Sequence, residues 1–311
     1  MHKKLIYMTL ASAMLLAACD TTNTSTDDAV QDTTEDTQAD AEETTDETTD
    51  ETADSETDTN DDESNDTDST DTTDEEDDET VTAEDQEIVY EVNPANFTIT
   101  PIEGTDANEQ VALLTYDDAP DTYAVEIAKI LQEKDAPAIF FVNGMYIEDE
   151  EGQEMLKEIH EMGFEIGNHT HTHPSLPSIS EEQQTEEILK TSDLIEEIIG
   201  VRPRFFRAPF GQNTDHTRQV ALDDGMTLMN WTYGYDWEAD YMDGDALADI
   251  MVNTNLLANG ANLLMHDREW TMQATPDIID GLRDKGFELV DPALIRSEFS
   301  ESEDDIDDND A

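Results

Sequence analysis

The chain predicts an α/β fold in which a parallel sheet of seven strands closes, or nearly closes, into a barrel. From residue 111 onward, short apolar runs rich in β-formers alternate with amphipathic stretches of helical period, seven of the first and six of the second. Three of the apolar runs end in Asp or His. Such endings are expected where the carboxyl ends of parallel strands converge on a ligand. About 200 residues are enough for one hydrophobic core, so a single domain over 84–298 is expected.

In chain order, strands are expected at 111–115, 138–142, 164–168, 204–207, 227–231, 262–265 and 287–290. The first runs into the adjacent carboxylates Asp117 and Asp118, the third into a histidine cluster, and the sixth into His266 and Asp267. Helices are expected at 123–133, 153–162, 180–199, 213–224, 245–257 and 275–285. The third carries a capping signature, Ser180-Glu181-Glu182-Gln183, ahead of an apolar face of Ile188, Leu189, Ile195, Ile198 and Ile199.

The segment His169-Thr170-His171-Thr172-His173 holds three of the chain's seven histidines. Clustered imidazoles at a strand end point to a metal site, with a His-rich polar loop as the plain alternative. Spacing alone does not choose the ligands: in an extended chain 169, 171 and 173 share a face, whereas in a helical turn only 169 and 173 do. Pro174 disfavours helix at His173. Asp117 and Asp118 raise a related difficulty. Neighbours on a strand point to opposite faces, so the pair can serve one site only where the strand ends and bends.

Four motifs, in order, carry a resemblance to a known family. Thr115-Tyr116-Asp117-Asp118-Ala119-Pro120 resembles the Thr-Phe-Asp-Asp-Gly-Pro motif of the polysaccharide deacetylases (NodB-homology domain, carbohydrate esterase family 4). His169-Thr170-x-x-His173-Pro174 resembles its His-Ser/Thr-x-x-His motif, Arg207-Ala208-Pro209-Phe210-Gly211 its Arg-x-Pro-Tyr/Phe-Gly motif, and Leu264-Met265-His266 its Leu-x-His motif. The resemblance spans roughly 108–292 and has three departures. Tyr116 replaces Phe, Ala119 replaces Gly, and the Asp-x-x-Asp-Trp motif is reduced to Tyr233-Gly234-Tyr235-Asp236-Trp237, without its first aspartate.

The resemblance implies a distorted (β/α)7 barrel of NodB-homology type and a metal-dependent hydrolase that removes N-acetyl groups from a polysaccharide. It implies Asp118, His169 and His173 as metal ligands, an open three-donor site that suits zinc and also admits cobalt(II) or other divalent ions. Asp117 becomes the general base, Arg207 the group that orients it, His266 the general acid and Asp236 the brace for His266. The Phe210 N–H becomes an oxyanion donor, Leu264 lines the acetyl pocket, and Trp237 and Tyr235 offer flat platforms for sugar rings. A core role is as natural as a platform for Trp231. His160, His171 and His216 match no role and are expected on the surface or in loops.

The ends of the chain carry different information. Residues 1–18 have the basic start and short apolar run of a signal peptide. Leu16-Ala17-Ala18-Cys19 resembles a bacterial lipobox, which gives the chain's one cysteine a task as a lipid attachment point. Residues 19–83 are Thr, Asp, Glu, Ser, Asn and Ala with little else and cannot bury a core, so they are expected to be a disordered acidic tether; 299–311 are expected to be an acidic disordered tail.

The formal net charge is −66. Within 84–298 the sequence has 45 Asp and Glu against 12 Lys and Arg, so the acidity extends to the folded part. Such a surface repels nucleic acid and anionic lipid and is consistent with a high-salt habitat. The expected protein is therefore a monomeric, extracytoplasmic enzyme, anchored through Cys19 to the outer face of the membrane and acting on cell-wall polysaccharide. A non-catalytic glycan-binding lipoprotein, or a deacetylase of chitin oligomers or acetyl-xylan, is the alternative.

Overall fold

The computed structural model describes residues 87–297. Cys19 and the segments expected to be a signal peptide, a tether and an acidic tail lie outside the described residues.

Seven parallel strands form the sheet: β3 (Val111–Ala119), β4 (Ala138–Val142), β5 (Glu165–Asn168), β6 (Phe205–Phe206), β7 (Thr227–Leu228), β8 (Ala261–His266) and β9 (Glu288–Leu289). Their order is β7-β6-β5-β4-β3-β8, with β9 paired to the start of β3. A parallel bridge from Tyr233 to Leu263 joins the chain running on from β7 to the free side of β8. This bridge curls the sheet into the distorted, incompletely closed barrel expected from the sequence. Six helices alternate with the strands: α1 (Ala124–Glu133), α2 (Glu150–Glu161), α3 (Glu181–Ile199), α4 (Asp215–Asp223), α5 (Gly244–Asn253) and α6 (Glu269–Asp284).

The two-residue period of the strands sorts the core into two layers. Ala112, Leu114 and Tyr116 of β3, Ala138, Phe140 and Val142 of β4, and Leu263 and Met265 of β8 face outward and pack with the apolar stripes of α1, α2, α5 and α6. Val111, Leu113, Ile139, Phe141, Phe205 and Met229 face the barrel interior. That interior continues into Tyr90 and Ile99, which belong to an antiparallel hairpin, β1 (Tyr90–Val92) with β2 (Ile99–Pro101), that the sequence reading lacks. Three-residue strands are too short to show a period.

Boundaries moved where tertiary or capping contacts decide them. At the start of α3 both halves of the capping box form, Ser180 accepting from the Gln183 N–H and Gln183 accepting from the Ser180 N–H. α2 begins at Glu150 instead of 153, because Asp149 caps the Gly152 N–H. α6 begins at Glu269 instead of 275, with Pro276 inside it. Its first turn is held from outside the helix: Trp270 Nε1 donates to the Asp236 carbonyl and Thr271 Oγ1 to the Asp236 carboxylate.

Candidate active site

The carboxyl ends of the strands open into a cavity of about 580 Å³, lined by Asp117, Asp118, His169, His173, Phe210, Trp231, Asp236, Trp237, Leu264 and His266 and by Met242, Arg268 and Trp270. Four of the six non-glycine residues with positive φ among the described residues, Asp118, Thr170, His173 and Phe210, stand in or beside it. Backbone in that region costs on the order of 1–3 kcal/mol per residue and persists where the surroundings enforce it, as at functional sites.

The Asp117 and Asp118 problem is solved by one such residue. The β3–β4 register slips between Tyr116 and Ala119, and Asp118 takes φ 60°. Asp117 keeps the inward direction of Leu113 and Thr115, while the bulge turns Asp118 toward the same cavity. Asp118 Oδ1 then lies 3.9 Å from His169 Nε2 and 3.6 Å from His173 Nε2. Three donors each about 2.0–2.2 Å from one tetrahedral ion would be about 3.4 Å apart, so the residues fit a single divalent ion with an open position.

The second imidazole of the cluster does not join the cradle. His171 is buried, but it faces away, with Nε2 2.9 Å from Glu148 Oε1 and 2.7 Å from Lys190 Nζ. His171 lies in the loop after β5, one of its two expected placements, but it is off the surface, which corrects the other. Positive φ at Thr170 and His173 breaks the extended alternation that would put 169, 171 and 173 on one face, and the middle imidazole enters the space between α3 and the turn at Gly144–Ile147. Glu187 of α3 secures this stretch by accepting from the His171 and Thr172 N–H groups and from Thr172 Oγ1.

His169 Nδ1 is 2.7 Å from the Arg207 carbonyl, which must accept its proton and so leaves Nε2 bare toward the cradle. Burial pushes the His169 pKa below the ordinary imidazole value, against the pull of Asp117 and Asp118, and favours the neutral form a ligand needs. For Asp118 burial acts upward, but His169, His266, His173 and Arg268 together hold its carboxyl below the usual range.

On one side of the cradle Arg207, fully buried, donates from Nη1 to Asp117 Oδ1 at 2.6 Å and to Thr115 Oγ1 at 2.7 Å. Its other hydrogens go to the Met229 and Asn230 carbonyls and to Asn262 Oδ1, and its plane lies 4.1 Å from the Phe141 ring centroid. The guanidinium has no freedom left, so Asp117 is fixed in direction with Oδ2 toward the cradle, 3.5 Å from His169 Nε2. Thr115 and Asn262 are supporting residues that sequence reasoning missed, since polar side chains within apolar runs give no signal of their own.

On the other side His266 Nδ1 is 2.7 Å from Asp236 Oδ1, and the His266 N–H donates to Asp236 Oδ2. Burial alone would lower the His266 pKa, but the hydrogen bond and charge of Asp236, with Asp117 and Asp118 beyond, raise it above the ordinary value. The motif's missing first aspartate is Tyr233, a core residue whose OH donates to the Met251 carbonyl.

Phe210 lies in a tight turn with its ring exposed, 4.8 Å from that of His173, and its N–H has no backbone acceptor among the described residues. Leu264 floors the cavity, and Trp237 stands edge-on to His266 at 5.6 Å with nearly half its surface exposed. Tyr235 is corrected: it is not among the lining residues. Its ring packs between Tyr233 and Tyr241, and its OH lies 2.7 Å from Thr254 Oγ1. In an extended chain a tyrosine two residues before an exposed tryptophan would share its face and read as a platform, but the chain turns at 236–237 and the two side chains part. Asp267 also leaves the site, its carboxylate accepting from the N–H groups of Asp121, Thr122 and Tyr123.

Comparison with known proteins gives a consistent answer. Residues 104–229 match the family described as polysaccharide deacetylase. A peptidoglycan-N-acetylglucosamine deacetylase of Bacillus cereus is 31% identical over 189 residues, 58% of this chain and 68% of that protein. The uncharacterized protein YlxY of Bacillus subtilis is 30% identical over 170 residues, and the match spans only about half of its length, 51%. Among solved structures, a pseudoenzyme of carbohydrate esterase family 4 from Bacillus anthracis superposes with a TM-score of 0.55 at 28% identity, over 61% of this chain and 69% of that one.

Proposed function

Because the chain belongs to the polysaccharide deacetylase family, we propose that it hydrolyses N-acetyl groups on a cell-wall polysaccharide, peptidoglycan foremost, with a divalent ion held by Asp118, His169 and His173. One observation carries the reading. A three-donor cradle is flanked by an arginine-fixed carboxylate and by an aspartate-braced imidazole, all facing one cavity. When bound, the ion supplies Lewis-acid polarisation of the acetyl carbonyl and lowers the pKa of the attacking water.

The chain's own residues do the rest. Asp117, aimed by Arg207, accepts the proton of the attacking water through Oδ2. The Phe210 N–H donates to the oxygen that gains charge as the carbonyl carbon becomes tetrahedral. His266, whose Nδ1 is occupied by Asp236, carries a proton on Nε2 and gives it to the leaving sugar amine. Leu264 and Trp231 exclude water around the acetyl methyl, and Trp237 offers a face to the sugar. Anchorage through Cys19 at the outer face of the membrane, with 19–83 as a tether, would bring the catalytic domain to the wall; zinc is the proposed ion.

A family that contains a pseudoenzyme makes a non-catalytic glycan-binding protein the rival reading, but every group that touches a reacting atom in this mechanism is present. Acetate release by the purified protein on peptidoglycan, chitin oligomers and acetyl-xylan decides between them. Release that stops with a chelator and falls about 10²-fold or more in Asp117→Asn is the expected result. Glycan binding with no acetate from any substrate would establish the rival.

A further inference from the structure

The two adjacent aspartates each have an arginine of their own. Arg207 serves Asp117, and Arg268, immediately before α6, donates from Nη2 to Asp118 Oδ2 at 2.9 Å. The other carboxylate oxygen of Asp118, Oδ1, is the one that faces His169 and His173. Arg268 is itself held in place. Its Nη1 donates to the Asp267 carbonyl at 2.7 Å and stands 4.0 Å from Asp121 Oδ2. The peptide that carries it is pinned because the Asp267 side chain binds three successive N–H groups of the β3–α1 loop and the Asp267 N–H donates to the Asp117 carbonyl. Arg268 and Asp118 thus sit on segments that are tied to each other twice.

We propose that Arg268 is a positioning residue that occupies one oxygen of Asp118, so that Asp118 offers only the other to the ion. The inference rests on the metal-dependent reading given above. A carboxylate bound through one oxygen takes up less of the coordination sphere than a chelating one, leaving room for water and the acetyl oxygen. A guanidinium hydrogen-bonded to that ligand also withdraws charge from it and keeps the ion a stronger Lewis acid, as partners of ligating carboxylates do in metal sites. The arrangement has a cost in affinity, since a cation next to a ligand opposes a second cation.

The test uses cobalt(II) as the probe on the whole protein and two variants, Arg268→Gln, which removes the charge, and Arg268→Lys, which keeps it. In Arg268→Gln, Asp118 is free to chelate and the repulsion is gone. Cobalt(II) should bind roughly three- to tenfold more tightly in competition with a chelating dye. Its visible absorption should weaken as the coordination number rises, and kcat on a soluble oligomer should fall about tenfold or more with little change in KM. Arg268→Lys should keep affinity and spectrum near those of the parent. Weaker cobalt binding with an unchanged spectrum in Arg268→Gln would make Arg268 a structural prop, and lost turnover with affinity and spectrum both unchanged would place its action on the substrate. Either overturns the inference while leaving the deacetylase reading standing. A parent protein that binds no cobalt and releases no acetate would remove both.

Discussion

Asp236 shows how a single residue couples the motifs. Its carboxylate accepts from the His266 N–H and from Thr271 Oγ1 and pairs with His266 Nδ1, while its carbonyl accepts from Trp270 Nε1. The sign of its effect on His266 is testable. Burial works to lower that pKa, and the Asp236 contact, which no bound ion touches, is the strongest of the causes that raise it. A general acid works while protonated, so the active form is present below the folded pKa and is lost as pH rises through it. Asp236→Asn removes the charge and should lower the His266 pKa. The alkaline limb of the kcat/KM profile should therefore move to lower pH, along with a loss of rate. A limb that stays where it was would detach His266 from that limb.

At the scale of elements, the stretch from β7 to Asp236 closes the barrel and shapes the cavity at once. Tyr233 bridges Leu263, the Leu264 N–H donates to the Tyr233 carbonyl, and Asp236 follows immediately. Gly234 permits this approach: a Cβ there would lie 2.3 Å from the Leu264 carbonyl oxygen and 2.8 Å from the Trp237 ring. Gly234→Ala should push the closing segment off β8, cost about 1–3 kcal/mol of stability, and lower kcat by displacing Asp236 and Leu264. Thermal unfolding together with acetate release measures both. Full activity at unchanged Tm would mean that the segment does not position the site.

For the whole molecule the governing quantity is charge. With 45 acidic against 12 basic residues in 84–298, the fold gathers like charges that the unfolded chain keeps further apart. Exposed pairs such as Lys129–Glu158 are too few and too screened to cancel that repulsion. Raising salt from about 0.1 M to 1 M shortens the screening length from about 10 Å to about 3 Å, so Tm should climb by several degrees. Because the Arg207–Asp117 pair is buried and feels little of that screening, kcat should change less than stability. A Tm that falls as sodium chloride is added would show that repulsion between surface carboxylates does not govern the stability of the fold.

The sequence by itself determined the number, type and order of the seven sheet strands and six helices, because hydrophobic period and capping chemistry are local properties. It also supplied the four motifs and the roles their resemblance implies. Tertiary structure decided what depends on direction. The bulge at Asp118 brings two neighbouring carboxylates into one cavity, and the left-handed backbone at Thr170 and His173 breaks the extended pattern and sends His171 away from its flanking imidazoles. The packing of Tyr235 against Tyr233 and Tyr241 takes it out of the site that its neighbour Trp237 lines. Arg268, Trp270 and Met242 reach the cavity from a loop and a helix start that carry no recognisable pattern. Side-chain direction at strand ends is set by one or two backbone dihedrals, and contacts from elements distant in sequence fix those dihedrals, so the local pattern of residues does not contain them.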